Sequence, residues 1–311
     1  MHQPIPRLSP QRASPYLLLT LAPFFWACNW IIGRGLHADV PPMAMTFFRW
    51  LFGIAFMLPF AWPHLRHQWP AVRQHWRVLI PLGVVGVGIH NSFAYIGLNN
   101  TTATNGVILN STIPIMIMAL SWIFLRQRLG KLQLMGLLVS IAGVLAILSH
   151  GSWAQLAGLQ LNRGDLWVLA SMLLWSIYTL MLRWRPPELH MLSFLLVIAC
   201  IGEMTVLPLF LAEHWFVRQT VFTGDALLAF ASVGLFSSFL SYVFWNRGVQ
   251  QVGANVAGMF VHLMPVFGTL LAWAFLGERL QPFHVAGIAL ILGGIWLTTR
   301  KAALPVPLAA E

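Results

Sequence analysis

The sequence predicts an all-α integral membrane protein with ten transmembrane helices, built as two inverted five-helix repeats. Three observations predict it. Charge is scarce and apolar residues run in long stretches, basic residues collect in every second connector, and the chain matches itself when shifted by about half its length.

Of 311 residues, 58% are apolar and only 8% are charged. A soluble domain carries roughly 25% charged residues, so this chain cannot furnish a water-facing surface and its solvent must be lipid. The formal net charge of +10 does not point to nucleic acid. Its carriers sit in short connectors between apolar runs, where they set membrane orientation. Cys28 and Cys200 both fall inside apolar runs, so no disulfide is expected, and two thiols alone make an incomplete metal site.

About twenty apolar residues cross a bilayer as a helix. Ten runs satisfy that length: Tyr16–Gly33, Met43–Trp62, Val78–Leu98, Thr102–Leu125, Leu132–Ser149, Leu166–Leu182, Leu189–Ala212, Ala226–Asn246, Val252–Gly277 and Phe283–Thr299. The runs are continuous rather than alternating, which excludes a β-barrel. The first follows Arg7 and Arg12 in the manner of a signal peptide. It is too long for one and lacks a small-residue cleavage site, so it is expected to remain as the first helix.

With the N-terminus placed in the cytoplasm, Arg7, Arg12, Arg66, Arg73, Arg77, Arg126, Arg128, Lys131, Arg183, Arg185, Arg247, Arg300 and Lys301 fall in inner connectors. Only Arg34, Arg163, Arg218 and Arg279 fall in outer ones. That bias places both termini inside. An odd number of spans would scramble it.

Shifted by 151 residues, Ala103 meets Ala254, Pro114 meets Pro265, Trp122 meets Trp273, Arg128 meets Arg279, Gly136 meets Gly287 and Gly143 meets Gly294. Gly83 with Gly234 and Gly97 with Gly248 extend the match without a gap. At an offset of 149, Trp26 meets Trp175, and Leu58-Pro59 meets Leu207-Pro208. Each half therefore holds five helices. The division expected is a first repeat at 1–149, an external linker at 150–163, a second repeat at 164–299 and a cytoplasmic tail at 300–311. Five is odd, so the second half runs opposite to the first. Such a pair suits alternating access, because exchanging the conformations of the two halves turns an inward state into an outward one.

These residues carry a resemblance. Pro114…Trp122-Ile123-Phe124-Leu125-Arg126-Gln127-Arg128-Leu129 and Pro265…Trp273-Ala274-Phe275-Leu276-Gly277-Glu278-Arg279-Leu280, with Phe48-Arg49 early in the second span and the Gly136 and Gly287 helices closing each half, resemble the drug/metabolite transporter superfamily, specifically its EamA-type ten-helix carriers. The likeness covers nearly the whole chain. It implies a substrate cavity between the repeats, lined mainly by spans 1, 3, 4, 6, 8 and 9. It also implies small metabolites such as amino acids as substrates, with export a frequent direction, and residence in a bacterial inner membrane. Gln127 stands in the first repeat where the second has Glu278, so any role of that acid would be one-sided.

No phosphate-binding G-x-x-x-x-G-K-[ST] pattern is present, and Lys131 and Lys301 are the only lysines. ATP-driven pumping by this chain alone is not expected, and with no lysine mid-span a retinal-type Schiff base is excluded. What remains is secondary transport without a cofactor. The expected partners are a small-molecule substrate and the lipid bilayer, with the chain a monomer or homodimer.

Several intramembrane residues are candidates for the site. Glu203, inside span seven, is the candidate proton carrier, since an intramembrane carboxylate is costly and by default functional. The structural alternative is a protonated or hydrogen-bonded carboxyl near the helix end, and the resemblance implies that span seven lies at the periphery. Arg49 either holds an anionic group or acts structurally, snorkelling or capping carbonyls of a neighbouring helix. The family pattern places an arginine there regardless of substrate, which favours the structural reading.

His90, Asn91 and Tyr95 share span three, with Asn91 and Tyr95 on one face. Trp26, Asn29 and Trp30 in span one and Trp175 and Tyr178 in span six occupy corresponding places in the repeat, which favours cavity lining over lipid packing. Ser237, Ser238 and Ser241 with Tyr242 either line the same cavity or allow close helix packing. Pro114 and Pro265 lie mid-span at matching positions. Interrupted spans in corresponding places point to a transporter's binding site. Asn110, Ser111 and His262, one turn before the prolines, are therefore expected across the midplane, beside the aromatic residues.

The rival reading is an intramembrane redox or enzymatic protein with His90 and His262 clamping a haem. A channel lacks support, since no filter motif or ring of like charges is visible.

Overall fold

Backbone amides inside a bilayer have no water to bond, so a long apolar run satisfies them internally as a helix. The computed structural model, which describes residues 14–36, 40–101, 103–149, 152, 162–276 and 279–300, folds every predicted run this way. We number the helices by span. They are α1 (Pro15–Leu36), α2 (Pro42–Gln74), α3 (Trp76–Asn100), α4a (Ala103–Asn110) with α4b (Ile113–Leu125), α5 (Lys131–Leu148), α6 (Arg163–Trp184), α7 (Met191–Phe216), α8 (Gly224–Val252), α9a (Ala254–Met259) with α9b (Leu263–Leu276), and α10 (Pro282–Thr299). Among the described residues, nine helices are long and apolar enough to cross a membrane. The 22-residue α1 is a further long helix.

Helix ends follow local chemistry. Asn162 opens α6 with a capping box: its side chain accepts from Asp165 N–H at 3.1 Å, and its own N–H donates to Asp165 Oδ2 at 2.7 Å. Thr223 opens α8 by accepting from Ala226 N–H at 3.1 Å. The first amides of α2 are capped from another helix, since Met43 N–H and Ala44 N–H donate to Glu213 Oε2 of α7 at 2.8 and 3.1 Å. At 33 residues α2 is much longer than the Met43–Trp62 run. At 1.5 Å per residue it reaches about 50 Å, well beyond a hydrocarbon core of about 30 Å. Pro59, Pro63 and Pro70 do not end it.

The inverted repeat is visible as an exchange of contacts. A Cβ added at Gly97 of α3 would lie 2.6 Å from Val168 Cγ2 of α6, and one at Gly248 of α8 would lie 2.5 Å from Leu19 Cγ of α1. Gly97 and Gly248 are equivalent at an offset of 151, and Leu19 and Val168 at 149. The terminal helices of the two halves, α5 and α10, cross at their small residues. A Cβ at Gly143 would meet Gly287 O at 2.6 Å, and one at Gly287 would meet Gly143 O at 2.7 Å. Gly136 and Gly294 meet in the same way. Each glycine thus faces the repeat equivalent of the other, as a twofold contact requires.

Two irregularities occur in both halves. Helix α3 contains a π-helical turn at Val84–Ile89, and α8 contains one at Gly234–Leu240. Spans four and nine are broken, by a turn at Ser111–Thr112 and by a 3-10 turn at Phe260–His262. Pro114 and Pro265 fall in the first turn of α4b and α9b, just after these breaks, instead of kinking a continuous helix. The repeated tryptophans face outward. Trp122 is 62% exposed and Trp273 53%, so they sit on the membrane-facing side, as interfacial tryptophans do.

Candidate functional site

Where α1, α3, α6 and α8 meet, aromatic rings close on one another. Trp26 of α1 lies edge-on to Trp175 of α6 at 5.0 Å between centroids, and these two residues are repeat equivalents. Trp245 approaches Trp26 at 5.3 Å, Tyr242 approaches Trp175 at 5.4 Å, and His90 approaches Trp175 at 5.0 Å. Trp50 of α2 lies edge-on to Tyr242 at 4.7 Å.

Buried tyrosine and tryptophan need partners for their polar atoms. The π turns supply two of them, because a π turn displaces carbonyls from the regular ladder. Tyr242 OH donates to Gly86 O at 2.8 Å, and Trp26 Nε1 donates to Ser237 O at 3.3 Å. Gly86 and Ser237 are equivalent at an offset of 151. The two halves therefore use the same displaced carbonyl.

A polar layer flanks the rings. Tyr95 OH donates to Asn29 Oδ1 at 3.1 Å, and Tyr178 OH donates to Asn246 Oδ1 at 2.9 Å. Asn29 corresponds to Tyr178 and Tyr95 to Asn246, so the same pair occurs twice with its members exchanged. Asn91 Nδ2 donates to Tyr242 OH at 3.2 Å and to Val87 O at 2.8 Å. Arg49 is buried here. Its Nε donates to Ser238 Oγ at 2.8 Å, and one terminal nitrogen donates to Tyr95 OH at 3.0 Å. It neither snorkels to an interface nor, in these bonds, caps a carbonyl. His90 Nδ1 lies 3.0 Å from Ser171 O, while Ser171 Oγ donates to His90 O at 2.8 Å. Ser241 Oγ donates to Phe236 O at 2.8 Å, within its own helix.

His262 forms a second cluster. Its Nε2 lies 3.0 Å from Ser111 O, and its Nδ1 lies 2.6 Å from Ser140 Oγ. A carbonyl can only accept, so Nε2 carries the hydrogen and Nδ1 accepts from the serine. The ring is fully buried. Both nitrogens are engaged, which leaves none for the axial ligation that a haem clamp requires. Asn110 donates to Met264 Sδ at 3.2 Å. Ser111 and His262 thus do meet across the repeat, through the backbone carbonyl of Ser111. Among the described residues no hydrogen bond or ring contact joins this cluster to the aromatic one, so the sequence-predicted residues form two groups and not one. Glu203 belongs to neither: it is buried on α7, with no hydrogen-bond partner for either oxygen. The side chain of Trp30 lies outside the described residues.

Sequence reading missed Trp245, Asn246, Trp50 and the π turns. Asn246 carried a signal, since it aligns with Tyr95. Trp245 aligns with Ala94 and carried none.

Inverted repeats of five helices that meet around a polar and aromatic centre suit a transporter. The chain belongs to the EamA-like transporter family, whose profile matches it twice, over residues 13–149 and 162–300. It is 28% identical over 296 residues to a Bacillus subtilis protein named uncharacterized transporter YetK, spanning 93% of this chain and 88% of that one. It is 25% identical over 292 residues to an uncharacterized transporter of Archaeoglobus fulgidus, spanning 92% and 97%. One solved crystal structure superposes with a TM-score of 0.76 at 22% identity, over 94% of this chain and 98% of that one. At that identity the likeness concerns the fold.

Proposed function

We propose that this protein is a secondary carrier that exports small amino-acid-like or aromatic metabolites by alternating access, coupled to protons through Glu203. In this reading it resides in the cell membrane with both termini in the cytoplasm. One observation carries the reading: repeat-equivalent residues meet one another, Trp26 with Trp175 and Asn91 with Tyr242 in the aromatic cluster, and Ser111 with His262 in the second. A site on the axis relating two inverted halves presents the same groups to either side when the halves exchange conformations.

The test is efflux from liposomes containing the purified protein and preloaded with a cell metabolite extract. A few aromatic or amino-acid-like compounds should leave only when the protein is present, and faster when the same compound is outside. Uniform leakage insensitive to the outside compound would mean a channel and overturn the reading. Reporter fusions at residue 5 and after Lys301 should read cytoplasmic, and one near Trp153 external.

A further inference from the structure

We infer that Arg49 is the anchor for a substrate carboxylate, so that the carrier takes small carboxylic acids whose apolar or aromatic body rests against the neighbouring rings. The inference rests on the transporter reading and deepens it.

Arg49 is 3% exposed. A guanidinium is always charged and carries five N–H donors in a planar fork. The bonds described for it go to two neutral hydroxyls, Ser238 Oγ at 2.8 Å and Tyr95 OH at 3.0 Å. Tyr95 OH donates a hydrogen bond to Asn29 Oδ1 and stays neutral, so it accepts from Arg49 without supplying negative charge. The faces of Trp50 and Tyr95 lie 5.9 and 5.7 Å from the guanidinium carbon. Ring faces soften the burial of a cation but do not neutralise it. Among the described residues no carboxylate lies within 4.0 Å of Arg49, and the ion pair between His75 and Glu188 at 3.7 Å is elsewhere. Intramembrane arginines face the bundle interior or a water-filled cavity and pair with opposite charges or backbone carbonyls, and neither kind of partner is among the bonds described for Arg49.

The surroundings are also short of acceptors. Trp50 Nε1, on the ring that faces the guanidinium at 5.9 Å, is a buried donor without a partner. A site rich in donors and poor in acceptors fits a ligand rich in acceptors. The planar fork of a guanidinium matches a carboxylate in two parallel bonds. Trp50 links Arg49 to Tyr242 and the central rings, so the apolar part of an acid held by Arg49 would rest against them. A purely structural Arg49 would bolt α2 to α3 and α8 through Tyr95 and Ser238, and would be indifferent to the chemistry of a ligand's head group.

That difference sets the experiment. The purified full chain in detergent is titrated at pH 7 with 3-phenylpropionate, its neutral isostere 3-phenylpropanamide and phenethylamine, following tryptophan fluorescence. The wild type should bind the carboxylate at least about tenfold more tightly than the amide, with the amine weakest. Arg49→Lys, which keeps the charge without the fork, should narrow that ratio, and Arg49→Gln should bring it near one. The wild-type comparison stands even where Arg49→Gln does not fold. Equal binding of carboxylate and amide, no binding of the carboxylate at millimolar concentration, or a full preference surviving in Arg49→Lys and Arg49→Gln would each overturn the inference. Export of neutral or cationic metabolites in the liposome assay with Arg49→Gln fully active would remove it while leaving the carrier reading in place.

Discussion

Asn91 and Tyr242 stand at the same position in the two repeats, 151 residues apart, and are hydrogen-bonded to each other at 3.2 Å. The tyrosine hydroxyl also donates to Gly86 O in the π turn of α3 at 2.8 Å. One hydroxyl therefore joins α8 to α3 twice at the centre. Tyr242→Phe keeps the ring and its contacts but strands a buried carbonyl and leaves the Asn91 amide with Val87 O alone. A stranded buried polar group costs about 1–3 kcal/mol. Thermal unfolding in detergent should fall accordingly, and an unchanged midpoint would mean that water replaces the hydroxyl.

The seam between α5 and α10 is held by backbone approach at Gly143 and Gly287. A side chain at either position meets the opposite backbone carbonyl within 2.6–2.7 Å, which cannot move aside as a side chain can. Gly143→Val should cost about 1–3 kcal/mol, the usual range for overpacking, and reduce the monodisperse yield. At Gly293, where nothing lies within 4 Å of an added Cβ, Gly293→Ala should leave the yield unchanged. Equal losses at both sites would point to a general intolerance of α10 and not to the seam.

Arg126 closes α4b in the left-handed region, with φ 51° and ψ 25°. That conformation costs a non-glycine residue roughly 1–2 kcal/mol. The equivalent position in the second repeat is Gly277. Arg126→Gly should raise stability by about 0.5–1 kcal/mol, because relief of strain is partly offset by the extra freedom of glycine in the unfolded chain. A lowered unfolding midpoint would show that the exposed Arg126 side chain contributes more than its backbone costs.

What the sequence made legible and what it hid divide on a physical line. The ten spans were readable because lipid imposes length and apolarity on each helix separately. The repeat was readable where backbones touch, as at Gly97 and Gly248, since only glycine fits and the identity persists in both halves. Side chains at the centre were readable only in part. Tyr95 pairs with Asn29 and Asn246 with Tyr178, so the two halves keep the hydrogen bond while exchanging its ends, and a search for identical residues passes over them. The π turns were invisible. Val84–Ile89 and Gly234–Leu240 differ in sequence, and one added residue in a turn hardly disturbs a helical pattern that is apolar on all sides. The two separate clusters around His90 and His262 depend on which way α4a, α4b, α9a and α9b turn at their breaks, and composition does not encode that.

His190 caps α7 through Nδ1, which accepts from Leu192 N–H at 3.4 Å, and its ring stacks on His64 at 3.9 Å between centroids. Burial first, then the charges of His64, Arg247 and Arg185, hold its pKa below the ordinary 6.5. The folded state thus favours the neutral ring. As pH falls below 6.5 the unfolded chain takes up this proton more readily than the folded one, so stability present at pH 7 declines toward pH 5. His190→Asn keeps an acceptor at the cap without a titrating group. The difference between unfolding midpoints at pH 7 and pH 5 should shrink in that variant. An undiminished difference would assign the acid sensitivity to other groups.

The most exposed prediction concerns Glu203. Its two oxygens have no hydrogen-bond partner, and it lies on the buried side of α7, three residues from the outward-facing Cys200. Nothing in the described structure holds a charge there: no arginine, lysine or amide reaches it. A carboxylate left unpaired in such a place costs several kcal/mol, so gaining or losing its proton is tied to whether a conformational change brings water or a cationic group to it. A proton carrier needs that property, and a carboxyl locked in a hydrogen-bond network would lack it. Gln has nearly the shape of Glu and cannot exchange a proton. Glu203→Gln should therefore abolish accumulation driven by a pH gradient in proteoliposomes, while exchange of unlabelled for labelled substrate across the same membrane, which moves no net proton, continues at a comparable rate. Loss of both activities would mark Glu203 as part of the packing or of the substrate path. Retention of gradient-driven uptake would remove it from the mechanism and leave His90, on the face of α3 toward Trp175, as the next residue to test.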